Sequence, residues 1–371
     1  MYKVTFANSR NQFYPTLKRN VDQYFVKNNL KKTGNWELYS KTLVLFPAAI
    51  TVYVVLLTVS MPTVLALSLC VLMGLIIASI GFNVMHDSCH GSYSSKKWVN
   101  TILGLSLNAL GGNAFFWKQK HNIIHHTYTN IEGADDDIAQ SKLLRQSPTQ
   151  EWKPVHKYQH IYLPIAYSMT IFMWVGLRDF EKYFKKKIHN TPIQPMDRSE
   201  HWIFWISKIM YATFYVAIPI MAVGFTSWLI GYLTMGLVLG LVLAYVFQLA
   251  HAVEGPEFDS VGIEDKMIES EWAAHQVKTT ANFAPGNKLI NWYVGGLNYQ
   301  VEHHLFPRIS HVHYPAISPI VEQTCKQFNL PYHSFDTLTK SVISHTMTMK
   351  KLGQKPVAEK VVAQKQVLQE A

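Results

Sequence analysis

Four long runs of apolar residues, gathered in two pairs, dominate the chain. Thr42–Ser60 and Val64–Phe82 are separated only by Met61, Pro62 and Thr63, and Trp202–Phe225 and Trp228–Gln248 only by Thr226 and Ser227. The first run, as a helix of about 19 residues, is roughly 28 Å long and matches the hydrocarbon thickness of a bilayer. The pattern predicts an all-α membrane protein with four transmembrane helices in two hairpins. Trp202 and Trp228 suit interfacial anchors, and Lys208, near one end of its run, suits a side chain that snorkels to the headgroups.

Two further stretches are apolar but interrupted. Residues 99–117 contain Asn108, Gly111, Gly112 and Asn113, and residues 160–177 contain Pro164 and lead into a basic stretch, residues 178–187. The first is read as a re-entrant or interfacial helix and the second as interfacial, because a full crossing would expose these breaks to lipid. Residues 1–41 form a polar segment without the apolar core of a signal peptide, so the first run is expected to act as its own insertion signal. Lys3, Arg10, Lys18, Arg19, Lys27, Lys31, Lys32 and Lys41 place that segment in the cytoplasm by the positive-inside rule. Four crossings then return the chain to the same side, so both termini are expected to be cytoplasmic. The membrane domain spans residues 42–331, and residues 332–371 read as a polar tail, with 349–371 a frayed helix or disorder.

Composition supports the membrane reading: hydrophobic residues make up 49% and charged ones only 16%, against about a quarter charged in soluble domains. The formal net charge of +10 follows from the cytoplasmic bias of Lys and Arg, and nucleic acid is not expected as a partner. The cysteines Cys70, Cys89 and Cys325 form no CxxC pair, so neither a disulfide framework nor a thiolate zinc site is indicated.

Candidate chemistry lies in the histidines near the predicted cytoplasmic ends of these runs. His86-Asp87-Ser88-Cys89-His90 places two imidazoles four residues apart on one helix face, with Asp87 in reach as a partner that orients them. In His121-Asn122-Ile123-Ile124-His125-His126, an α-helix puts His121 and His125 on one face and turns His126 by about 100°, toward a second metal. In Gln300-Val301-Glu302-His303-His304, a helix sets Gln300 and His304 one turn apart, with His303 beside them. His251 follows the fourth run. Isolated histidines near headgroups would account for one such cluster, but not for three predicted on one membrane face. His156 with His160, and likewise His275, His311 and His313, are read as structural. The HExxH pattern of zinc proteases is absent, and eight imidazoles without cysteine exceed what one tetrahedral zinc requires.

HDSCH, HNIIHH and QVEHH resemble the three histidine boxes of the membrane fatty acid desaturase family, and the glutamine opening the third is similar to its front-end branch. The resemblance extends from about Phe82 to about Pro331, through Thr127 to Asn130, Trp272 to Phe283 and Gly295 to Pro315. It implies a four-helix membrane bundle with a cytosolic histidine-rich cap holding a di-iron site, which uses O2 and two external electrons to insert a cis double bond, at Δ6 or Δ5, into an acyl chain. The implied ligands are His86, His90, His121, His125, His126, His251, His303 and His304. Gln300 stands where many relatives carry histidine; it would bind iron weakly, bind through water, or only orient a ligand. Asp87, Asn130, Asp135 and Asp137 are the implied supporting residues. The substrate would be a fatty acyl-CoA or an acyl-lipid. Many eukaryotic front-end enzymes carry a fused cytochrome b5 domain; its His-Pro-Gly-Gly haem motif is missing here, so a separate donor of ferredoxin or cytochrome b5 type is expected. The expected location is a bacterial inner membrane in preference to the endoplasmic reticulum. A di-iron lipid hydroxylase is the near alternative, and a non-catalytic zinc-binding receptor or scaffold the distant one.

Overall fold

The computed structural model describes residues 4–7, 12–138, 141–189, 191–260 and 266–356. Four helices are long and apolar enough to cross a membrane: Trp36–Thr58, Thr63–His90, Arg198–Val223 and Phe225–His251. The first begins at Asn35, whose side chain accepts from Glu37 N, and so starts before the apolar run does. The second continues through a π-helical turn, Gly81–Met85, directly into His86–His90. The break between the third and fourth falls at Gly224, not at Thr226 and Ser227, because the chain turns there through a positive φ of 81° that glycine adopts freely.

Lys208 does not snorkel. Its ammonium is buried, donating to Asp179 Oδ2 at 2.9 Å and to the carbonyls of Gly111 and Val175 at 2.6 and 3.2 Å. Residues 97–118 break into the short helices Lys97–Gly104, Ser106–Ala109 and Ala114–Lys118, none long enough to cross a bilayer. Pro154–Ser168 and Thr170–Lys185 are bent by 58° against each other, a broken span or a re-entrant pair.

The segments flanking the spans carry more structure than their polarity announces. Within residues 1–41, Phe13–Lys27 is a helix whose buried Phe13, Leu17, Val21 and Phe25 recur every four residues and face the Tyr314–Gln327 helix through Ile317, Val321 and Cys325. Within residues 332–371, the strand His333–Phe335 pairs in parallel with Ala281–Phe283, and Leu338–Leu352 is a helix with His345 and Met349 fully buried. The fold therefore continues past residue 332 as far as Leu352, with Met349 inside a helix, because this helix presents an apolar stripe to the Gln159–Ser168 helix and the end of the fourth span. Residues 357–371 lie outside the described residues. Two other short parallel pairings, Val4–Phe6 with Lys266–Ile268 and Ile131–Glu132 with Asp259–Ser260, tie the segments around the histidines together.

Candidate metal centre

All eight histidines singled out from the sequence are buried, and they converge. His86 and His90 come from the last turn of the second span, His251 from the last residue of the fourth. His121, His125 and His126 lie on one continuous helix, residues 114–128, that opens at Asn113, whose side chain caps Phe116 N at 3.0 Å. His303 and His304 lie on the short helix Gln300–Leu305. Two all-histidine groups result, each within 4.8 Å: His86, His90, His121 and His303 in one, His125, His251 and His304 in the other, and a third such group joins His121 and His125 to Asp137. Around His121 Nε2, the Nε2 atoms of His86 and His126 stand at 3.3 Å and that of His303 at 3.5 Å.

These separations test the fit to a metal. Two nitrogens at 2.0–2.1 Å from a shared ion, held at a tetrahedral angle, stand about 3.3–3.4 Å apart. Neutral imidazoles packed with their nitrogens this close repel unless a cation or a proton lies between them. Nε2 of His90, His251 and His304 is buried with no hydrogen-bond partner among the described residues, a cost of about 1–3 kcal/mol each that a metal would remove. The donor set therefore fits metal ions held by imidazole.

The distribution along residues 121–126 differs from the α-helical expectation. It is His125, not His126, that turns to the second group, whereas His126 Nε2 returns to His121. The reason is local: Gln119–His125 is a π-helix, whose i→i+5 hydrogen bonds bring residues five apart toward one another. His126 also stands between the groups, its ring 4.6 Å from that of His303 and 4.5 Å from that of His304.

Four outer nitrogens are anchored, those of His125, His251, His303 and His304. His125 Nδ1 lies 3.1 and 3.2 Å from the two oxygens of Asp135 and 3.3 Å from Asp137. His251 Nδ1 donates to Thr279 O at 3.2 Å, and His304 Nδ1 to Gln276 Oε1 at 2.8 Å. His303 Nδ1 lies 3.2 Å from the Tyr314 hydroxyl, and Trp117 stacks on His121 at 4.4 Å. Burial holds His121, His126, His303 and His304 well below the usual histidine pKa, with neighbouring imidazoles adding to the effect. For His125 burial acts the same way, but the Asp135 and Asp137 carboxylates outweigh it and hold the group above its ordinary value. Seven of the eight imidazoles belong to a group, and those whose proton affinity burial lowers are neutral and ready to ligate.

Of the other expected residues, Asp135 and Asp137 stand against His125. Asp87 does not orient an imidazole ligand: its carboxylate accepts from Ser310 Oγ at 2.6 Å and lies 3.1 Å from His311 Nδ1. Asn130, at a positive φ of 57°, is a backbone staple, its amide donating to the carbonyls of His251, Glu257 and Thr279. Gln300 is buried, its Nε2 without a partner among the described residues, and a carboxamide so placed presents oxygen or nitrogen by a simple flip. His275 and His313 bind backbone carbonyls, of Thr129 and Thr33. Gln276, Thr279 and Tyr314 were not foreseen; the only signal was their place inside Trp272 to Phe283 and Gly295 to Pro315.

Two adjoining apolar cavities share Ile77, Leu110, Ile171 and Leu239. One reaches Met85 and Trp174; the other ends among Phe172, Tyr211, Tyr215 and Tyr232, with the hydroxyls of Tyr211 and Tyr232 2.9 Å apart.

The sequence model of the fatty acid desaturase family matches residues 62–336. The chain is 38% identical over 363 residues to the sn-1 linoleoyl-lipid 6-desaturase of Arthrospira platensis, covering 95% of this chain and 96% of that one. It is 33% identical over 353 residues to the protein of the same name from Synechocystis, covering 95% and 98%. With the acyl-lipid (8-3)-desaturase of Physcomitrium patens it shares 35% over 356 residues, 94% of this chain and 74% of that one. On a match of this length and relatives of this identity, the chain belongs to the fatty acid desaturase family.

Proposed function

We propose that the protein is a front-end desaturase that inserts a cis double bond at Δ6 of an acyl chain carried on a lipid, at a di-iron centre. The observation that carries this reading is the convergence of eight buried histidines, several with an unpaired inward nitrogen. The names of the relatives favour a lipid-borne linoleoyl chain and position six over an acyl-CoA. His86, His90, His121 and His303 would hold one iron and His125, His251 and His304 the other, with His126 between them and Gln300 contributing through its carboxamide, directly or across a water.

When bound, the iron pair supplies, with O2, two electrons and two protons, the oxidising power to remove two hydrogens from adjacent methylenes, giving an alkene and two waters. The chain does the rest. Asp135, Thr279 and Gln276 fix the tautomers of His125, His251 and His304, so that each presents Nε2 inward. Met85, Leu107 and Trp174 border the cavity nearest His86; they would seat the reacting carbons and keep water from the oxidant. The methyl end would run toward Tyr211 and Tyr232.

The short connections after Thr58 and at Gly224 support two hairpins. Lys96, Lys97, Lys118 and Lys120 lie next to the histidine-bearing segments, which supports a cytoplasmic centre and cytoplasmic termini in a bacterial inner membrane. A separate ferredoxin or cytochrome b5-type donor would deliver the electrons. Expression in a host with such a donor, with linoleate fed and the product's double bond located by mass spectrometry, tests the reading. A new bond at Δ6 is expected; an alcohol would make the enzyme a hydroxylase, and purified protein holding zinc alone and forming no alkene would make it a scaffold.

A further inference from the structure

Resting on the two-metal reading above, we infer that the two metal positions are inequivalent, and that the His125–His251–His304 position takes up its ion first and holds it more tightly. Every imidazole of this group has its outer nitrogen on an acceptor: a carboxylate for His125, a backbone carbonyl for His251 and an amide oxygen for His304. All three rings are therefore oriented with Nε2 inward before any ion arrives, and for His251 and His304 that nitrogen has no partner among the described residues. Ordering these rings costs nothing further on binding.

The charge is equally one-sided. Asp135 is buried, aims both oxygens at His125 Nδ1 within 3.2 Å, and is itself fixed by the backbone N–H groups of Asn130 and Asp137, at 3.0 Å each. Asp137 adds a second carboxylate 3.3 Å from the same imidazole, its charge shared with Lys120 at 2.5 Å. A carboxylate behind a ligating imidazole raises its basicity and compensates the charge of the ion. In the other group no carboxylate is hydrogen-bonded or ion-paired to an imidazole among the described residues, although Asp137 comes within 4.8 Å of a His121 nitrogen. Asp87, although it lies between His86 and His90 in sequence, is turned to Ser310 and His311, and His303 meets only the neutral hydroxyl of Tyr314.

The test is a titration of the metal-free, full-length protein in detergent with Co2+, followed by the visible absorption of the bound ion. The parent should take two equivalents in two resolved steps. Asp135→Asn should weaken the first step about 10–100-fold and leave the second in place. His304→Ala should abolish the tight step and His303→Ala the weak one; this pair carries the test if Asp135→Asn does not fold. Two equal, unresolved equivalents, an Asp135→Asn variant that weakens both steps alike, or loss of the weak step in His304→Ala would overturn the inference and leave two metals per chain standing. Uptake of fewer than two equivalents by the parent would overturn the two-metal reading itself, and the inference with it.

Discussion

Breaking the buried pair between Lys208 and Asp179 should destabilise the protein strongly. The two side chains are 7% and 0% exposed, and Lys208 Nζ makes three short contacts, to Asp179 Oδ2 and to the carbonyls of Gly111 and Val175. In Asp179→Asn the ammonium keeps the two carbonyls but loses its counter-charge, at about 3–5 kcal/mol. With an unfolding entropy of about 2.1 cal/mol/K per residue over 371 residues, each kcal/mol moves the midpoint by roughly 1.3 °C, so a drop of about 4–6 °C is expected. Lys208→Met should be worse, because it leaves Asp179 buried with Trp174 Nε1, at 3.1 Å, as its donor and strips two carbonyls of theirs. The double variant Asp179→Asn with Lys208→Met should recover part of the loss, since neither charge then remains unpaired. The assay is intrinsic fluorescence during heating in detergent at a fixed scan rate. Both single variants melting within about 1 °C of the parent, or a double variant losing the full sum of the singles, would refute the reasoning.

At Gly236 an added Cβ would clash with Phe172 Cζ, so Gly236→Ala must push that ring into the cavity it lines; turnover of an 18-carbon chain should fall relative to a 16-carbon one in competition, and an unchanged product ratio would remove the acyl chain from this cavity. Glu302 is fully buried, its carboxylate accepting from Tyr332 OH at 2.7 Å and Asn282 Nδ2 at 2.9 Å. Glu302→Gln points an amide N–H at one of these donors and should cost about 1–3 kcal/mol in thermal stability, whichever way it flips; a neutral result would mean that the site rearranges. His345 receives the Tyr167 hydroxyl at 2.9 Å and donates to Ala252 O at 2.7 Å, one residue past His251. Tyr167→Phe should lose about 1 kcal/mol and His345→Ala more, read as faster proteolytic release of the Leu338–Leu352 helix, and equal cleavage rates would count against the clamp.

The spans were legible because lipid solvation leaves a composition signal that no neighbour needs to complete: long uncharged runs. Their ends were less so, since Asn35 as a cap, Gly224 as a turn and the continuation through Gly81–Met85 to His90 depend on a few backbone groups. The histidines were legible as a set, because type and spacing carry the chemistry, whereas their partners were not. A backbone carbonyl such as that of Thr279 has no sequence signature at all, and Gln276 looks like any glutamine. Asp87 and Lys208 were misread for the same reason: a charged residue on a helix faces solvent or a buried partner according to what packs over it, here the segment carrying Ser310 and His311, and Asp179.

The π-helical turn at Gln119–His125 explains how so few residues reach both histidine groups. An unbroken α-helix would stack His121 and His125 on one face and send His126 off alone, giving two ligands to one group and one to the other. With i→i+5 hydrogen bonding each residue turns less about the axis, so His126 comes back to within 3.3 Å of His121 while His125 is released toward His251 and His304. The same six residues then put an imidazole into both groups and a third between them. Such a turn weakens the helix it sits in, and here neighbours hold it: Trp272 Nε1 on His126 O, Asn122 Nδ2 on Cys89 O, and Asp135 on His125. Gln300 to His304 closes the centre from one side, but residues 121–126 are where its two halves meet.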